Sequence, residues 1–316
     1  MEDTQGNERF LCESQGGSPK FCRDIFNCVS GVIDPGFERE VIEKYRSHFT
    51  LVRKILCCLS KVEKVLREYG KEENRSQHPD REMVFINFPL ILSNTHSILL
   101  LSSQGYPVEA SVILRSLIER ALDVAYIINA SGDDREELAR LYIEHWAVEY
   151  RDWMLAMLEY PNLPERQAKG IKTTLKRVEE CIPQETMGLL EKGKTFRSWR
   201  DLAKVKFKEV AYRKGMAQAL GLWSFPLSYG LYSMAVHSSS ASGQIYSRDF
   251  KQVLKQPSVL RVDEVLTQAS FWALVFVDAF NRVFANDGAI DINALRQQME
   301  NAYRTSLAKY GLNPEP

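Results

Sequence analysis

Charged side chains occur at regular spacing in the otherwise apolar stretch 110–128. Arg115, Glu119 and Asp123 are four residues apart, so they share one face if the stretch is helical. Arg115 and Glu119 can also form an ion pair at this spacing. Two interpretations follow: the strip faces solvent, as charge on a helix usually does, or it points into a cleft.

A second polar strip with the same spacing lies later in the chain. Tyr229, Ser233 and His237 align on one side of a predicted helix whose other residues are mostly apolar or small. An imidazole that titrates near neutral pH can act beside a hydroxyl as a general base or a proton donor. Alternatively, His237 only stabilises the C-terminal end of its helix, where the dipole favours a cation.

Residues 192–214 are rich in basic side chains. They include nine Lys or Arg against two acidic residues, with Trp199 and Phe207 among the interleaved aromatics. Such a mixture suits a nucleic acid, because cations pair with phosphates and rings stack on bases. The alternative is a solvated basic face packed through its aromatics on an acidic helix. The candidate nucleic-acid contacts are Lys204, Lys206, Lys208, Arg213 and Lys214.

Several enzyme classes are disfavoured by missing motifs. The sequence contains no Walker loop, no G-x-G-x-x-G, no H-E-x-x-H and no G-x-S-x-G. Its six cysteines form no C-x-x-C pair, and no Glu-x-x-His pair is present for a di-iron site. We therefore expect neither a metal nor another cofactor.

Helices are the elements that must position these residues. Apolar residues recur at three- and four-residue steps, and signals for strands are nearly absent. We predict an all-α fold, a single helical-bundle domain of about eight to nine helices with a loose N-terminal arm. The predicted helices span about 38–69, 82–103, 108–130, 133–160, 165–180, 222–239, 262–284 and 292–310.

Composition limits the partners of the chain. Its 316 residues include 41 Lys or Arg and 41 Asp or Glu, so the formal net charge is zero. Only a local patch could then attract nucleic acid electrostatically. We expect a cytoplasmic protein without membrane contact, since neither a secretory signal nor an unbroken apolar span is visible. The predicted organisation is a flexible arm (1–37), a helical bundle core (38–250) and C-terminal helices (251–316) that pack on the core or on a partner.

The two polar strips together resemble a bacterial helical family known as domain of unknown function 5677. The resemblance rests on the R-x-x-x-E helix, on Tyr229-x-x-x-Ser233-x-x-x-His237 with Trp199 before it, and on LARLYIEHWAVEY. It covers about residues 50–250. It implies a helical domain without an established activity, whose layout is similar to HEPN-like domains. The site residues that it carries over are Arg115, Glu119, Tyr229, Ser233 and His237.

Two functional hypotheses follow. The first is a binding or scaffold module with one polar cleft, formed where the helices of Arg115 and His237 pack side by side. The second is a HEPN-like, metal-independent ribonuclease or toxin of bacterial defence or stress. In it His237 would act as general acid and base, and Arg115 would stabilise charge on phosphorus. HEPN nucleases place Arg and His on one helix, unlike Arg115 and His237. The candidate partners are RNA and a second copy of the chain. The second copy would bind through the C-terminal helices.

Arg140 and His145 match the R-x4-H signature of HEPN ribonucleases. About one such match is expected by chance in a chain of this composition. Five residues also separate the two side chains by about 140° around a regular helix. The motif is therefore treated as a coincidence.

Overall fold

The computed structural model describes residues 35–74, 77–207, 210–211, 213–220 and 261–309. Within these ranges the chain forms twelve helices and no strand, so the all-α prediction is confirmed. The helices are α1 (Pro35–Lys44), α2 (Arg46–Tyr69), α3 (Pro79–Ser103), α4 (Pro107–Ile128), α5 (Gly132–Leu158), α6 (Glu165–Glu179), α7 (Gln184–Glu191), α8 (Trp199–Lys206), α9 (Arg213–Ala219), α10 (Val262–Val283), α11 (Ala285–Gly288) and α12 (Asn293–Lys309).

More helices are present in the described ranges than the eight to nine predicted. Tyr45 separates α1 from α2, and residues 184–219 form three short helices. The first helix begins at Pro35, inside the predicted arm 1–37. Residues 1–34 of that arm and the predicted helix 222–239 lie outside the described ranges.

The core is built around α10, which packs against α4, α3 and α2. Its aromatic residues Trp272, Phe276 and Phe280 are fully buried. The facing side of α4 is equally apolar, with Leu114, Leu117 and other aliphatic residues inside. Burial of this apolar surface is the main force that holds the bundle together. The C-terminal helix α12 packs on α10 and α2.

Helix α3 is apolar on most of its surface. Part of it faces the core, as at Met83 and Ile91, whereas Ile86 and Leu90 are exposed. Among the described helices it is the one that is long and apolar enough to cross a membrane. Core helices of soluble proteins meet the same two criteria.

The helices from α5 to α9 return the chain to α4. α5 packs on α3 and α6, α8 packs on α5, and α9 packs on α4. The basic segment therefore folds back onto the helix that carries Arg115, Glu119 and Asp123. This return is what brings polar residues distant in sequence together.

Candidate functional site

The α4 strip (Arg115, Glu119, Asp123) is met by arginines from two later helices. At its half-buried end, Arg115 Nε donates to Glu119 Oε1 at 3.0 Å. Arg213, at the start of α9, pairs with the same oxygen through Nη1 at 2.8 Å. We call Arg115, Glu119 and Arg213 the edge cluster. Two residues assigned to different sites from the sequence thus share one carboxylate.

At the other end of the strip, Asp123 forms a buried ion pair with Arg200 of α8. Both side chains are buried, and Arg200 also directs Nε at Met216 Sδ at 3.3 Å. Its guanidinium lies over the Trp199 ring, 5.2 Å from the centroid. Asp123 is therefore enclosed inside the bundle, so at this residue the strip faces neither solvent nor an open cleft.

The buried pair belongs to a wider polar network. Trp199 meets Tyr142 of α5 edge-on, with ring centroids 5.9 Å apart. Tyr142 donates its hydroxyl to Asn87 Oδ1 at 2.8 Å, and Asn87 in turn donates to the Met83 carbonyl at 2.8 Å. Contacts of this kind join α3, α4, α5 and α8. Buried polar contacts between helices rigidify and specify a core where their groups are paired, as Asp123 is with Arg200 and Tyr142 is with Asn87.

Burial sets the electrostatics of this network. Loss of solvation raises the pKa of Asp123, while Arg200, the Trp199 indole and Arg213 act in the opposite direction. Burial also raises the pKa of Tyr142 to about 12, and the nearby charge of Asp123 adds to this rise.

Alkaline unfolding should report the state of Tyr142. Its pKa is 10.0 ordinarily and about 12 in the fold, so the unfolded chain loses this proton first. The contribution of Tyr142 to the free energy of unfolding is therefore complete below pH 10, and it is lost as the pH rises through 12. Between pH 9 and 12, wild type should lose about 2–3 kcal/mol more free energy of unfolding than Tyr142→Phe, measured in urea. Parallel losses in the two proteins would contradict this assignment.

The basic segment is partly neutralised by carboxylates of the chain itself. Lys206 Nζ lies 2.8 Å from Glu137 and 3.8 Å from Glu185, while Lys204 lies 3.7 Å from Asp201. The Glu137 hydrogen bond raises the pKa of Lys206. Lys208 and the side chain of Lys214 lie outside the described residues. Lys204 and Lys206 are thus paired with acidic neighbours, and Trp199 of the same segment packs inward.

Other candidates are placed as follows. Tyr229, Ser233 and His237 lie outside the described residues. The R-x4-H pair is not assembled: His145 is buried with Nε2 3.2 Å from the Phe196 carbonyl oxygen, and Arg140 pairs with Glu137. Among the described residues, no group of His, Cys, Asp or Glu is arranged to hold a metal ion.

Three members of the network were not recognised as site residues in the sequence. Asn87 and Tyr142 belong to segments with ordinary helical patterns, and Arg200 entered only the count of cations in the basic segment 192–214. The partner of Asp123 is 77 residues away, so no local spacing rule identifies it. A usable signal was the presence of Asp123 among apolar residues, since a buried carboxylate requires a paired cation.

The part of the chain that contains the edge cluster and the buried pair also matches a known protein family. The model of a family of unknown function, DUF5677, matches residues 82–250. The match begins within α3 and includes α4 to α9, and with them the edge cluster and the buried pair. No curated protein and no solved structure matches the chain. Because the family model covers more than half of the 316 residues, the chain belongs to the DUF5677 family.

Proposed function

We propose that the protein is a binding or scaffold module in which the α4 strip is structural. The observation that carries this proposal is the buried pair of Asp123 and Arg200. Removing two charges from water is costly, and each needs the other in the folded state. A carboxylate held in this way fastens α8 to α4, and it is not free to act on a substrate.

The edge cluster supports the same function. Glu119 is engaged by guanidinium groups from its own helix and from α9. Such charge-assisted bonds fix the start of α9 on α4. With α8 and α9 fastened, the bundle gains a rigid surface, and rigid helical surfaces are common platforms for partners.

One observation favours a second candidate function, a metal-independent ribonuclease. The edge cluster places two guanidinium groups around Glu119 at a half-buried position. Guanidinium groups bind phosphate well and can stabilise charge that develops in the transition state. In this hypothesis Tyr229, Ser233 and His237 would supply the hydroxyls and the general acid and base.

Glu119→Gln separates the two functions. If Glu119 is structural, this substitution should lower the free energy of unfolding by about 1 kcal/mol, because the cluster is only partly buried. We also expect no new RNA ends in cells that express wild type or His237→Ala. Urea unfolding and mapping of RNA ends provide the two measurements.

Glu63→Gln is the matched control. Its carboxylate has the same exposed fraction as that of Glu119, 24%, and pairs with Arg67. RNA cleavage that wild type shows, and that Glu119→Gln and His237→Ala lose without a change in unfolding, would overturn the binding-module proposal. It would establish the ribonuclease instead.

A further inference from the structure

Helix α6 has an exposed face made of cations. Residues 166–178 contain five basic side chains and no carboxylate, whereas the chain as a whole has zero net charge. A helix turns by about 100° per residue, so the five side chains lie within an arc of about 140°. All five are exposed, and we call them the α6 basic face: Arg166, Lys169, Lys172, Lys176 and Arg177.

The opposite side of α6 is fixed to the protein. Its apolar residues Ile171, Leu175 and Val178 lie across the helix from the α6 basic face and pack on the core. At the end of the helix, Arg151 Nε of α5 donates to Glu179 Oε1 at 3.3 Å. These contacts hold the α6 basic face outward on the bundle.

The α6 basic face differs from the basic segment 192–214 in the pairing of its charges. Within the described ranges, none of its five side chains forms an ion pair or a side-chain hydrogen bond. By contrast, Lys204 and Lys206 lie close to carboxylates of the chain itself. Like charges three or four residues apart on a helix repel one another, so a bound polyanion would stabilise α6 by removing this repulsion.

We infer that the α6 basic face binds the phosphate backbone of a nucleic acid. Lysine and arginine pair with phosphates, and the counterions released from the strand supply the binding free energy. From Arg166 to Arg177 the face extends about 16 Å along the helix axis, which is long enough for several phosphates. Contacts to phosphates carry no sequence information, so binding should not depend on base sequence.

Two other anionic partners suit this helix less well. Protein interfaces draw most of their binding energy from a central buried cluster and are depleted in lysine, whereas no exposed residue of α6 has a large apolar side chain. Anionic membranes bind amphipathic helices whose apolar face enters the lipid, and in α6 that face is turned to the core. The helix therefore offers charge alone, which is what a phosphate backbone requires.

This inference rests on the proposed binding function and names its partner. It also moves the nucleic-acid contact expected for residues 192–214 to α6. The physical reason is accessibility: Trp199 is buried, and Lys204 and Lys206 are paired with carboxylates, whereas the α6 basic face is open to solvent.

Neutralisation of lysines tests the site. The full chain should bind a labelled oligouridylate of about 20 nucleotides in fluorescence anisotropy, with an affinity that falls steeply between about 50 and 200 mM salt. Lys169→Gln with Lys172→Gln should raise the dissociation constant about tenfold and lower the slope of log K against log salt by about 1.4, because each phosphate contact to a single strand contributes about 0.7. The matched control, Lys204→Gln with Lys206→Gln, removes the same charge and should leave both quantities nearly unchanged. An oligoadenylate of the same length should give the same slope.

Three outcomes would overturn the inference. The first is that neither single-stranded nor duplex RNA binds wild type at about 100 μM protein in low salt. The second is that the control pair weakens binding as much as the α6 pair does. The third is that polyglutamate, or vesicles containing phosphatidylserine, bind more tightly than RNA and lose this binding in the α6 pair. Circular dichroism of each variant checks that it folds.

The same samples separate this inference from the proposed function. Cleavage of bound RNA that Glu119→Gln abolishes would overturn the binding-module proposal alone. Absence of both binding and cleavage would overturn this inference alone.

Discussion

Asp123→Ala is expected to lower the free energy of unfolding by about 3–5 kcal/mol, because it leaves the buried guanidinium of Arg200 without its counter-charge. Arg200 would then face the Trp199 ring and Met216 in a site that excludes water. Urea unfolding followed by circular dichroism measures the loss. Arg67→Ala, which removes the exposed partner of a surface ion pair, should cost less than about 1 kcal/mol.

Replacement of both members of the buried pair separates charge from packing. Asp123→Leu combined with Arg200→Met removes both charges and retains apolar volume. The double variant should be more stable than Asp123→Ala, since no unpaired charge remains inside. The coupling between the two positions should be large, as contacting residues are not additive. Losses in the double variant equal to the sum of the single losses would show that the pair does not act as a unit.

Trp272→Ala should have an effect of similar size, about 3–5 kcal/mol, because it removes a large side chain from the centre of the core. Trp272 lies on α10, beyond the residues that the family model matches, and is 1% exposed. Since α10 packs on α2, α3 and α4, we expect one cooperative transition that shifts as a whole. Unfolding is followed by circular dichroism and fluorescence on the same samples.

Tyr160→Ala is the control for Trp272→Ala, since it truncates an aromatic residue that is 74% exposed. It should change stability by no more than about 0.5 kcal/mol. Two separate transitions in wild type, only one of which moves in Trp272→Ala, would show that α10 unfolds apart from the family region.

The helical architecture could be predicted well from the sequence, because helix formation depends on local patterns. The periodic apolar residues of α4 and α10 gave bounds within a few residues of those observed, whereas the single helix predicted over 38–69 is divided at Tyr45 into α1 and α2. Helices α3 and α4 each begin with a proline, because the first turn of a helix does not use the backbone N–H that proline lacks. Family membership was also recognisable, since it rests on residue types at fixed spacing.

Local spacing does not determine which charges become buried. Arg115, Glu119 and Asp123 have the same four-residue step, yet only Asp123 is fully enclosed, since α8 packs over it and α9 reaches Glu119. The sequence by itself determined the helices and the strip of charge on α4. The tertiary structure alone decided the ion-pair partners of the α4 strip. It also decided that the rings of Trp146, Tyr150 and Trp153 on α5 are exposed. The physical reason is that pairing and burial depend on contacts between segments far apart in the chain, whereas helix periodicity depends on near neighbours.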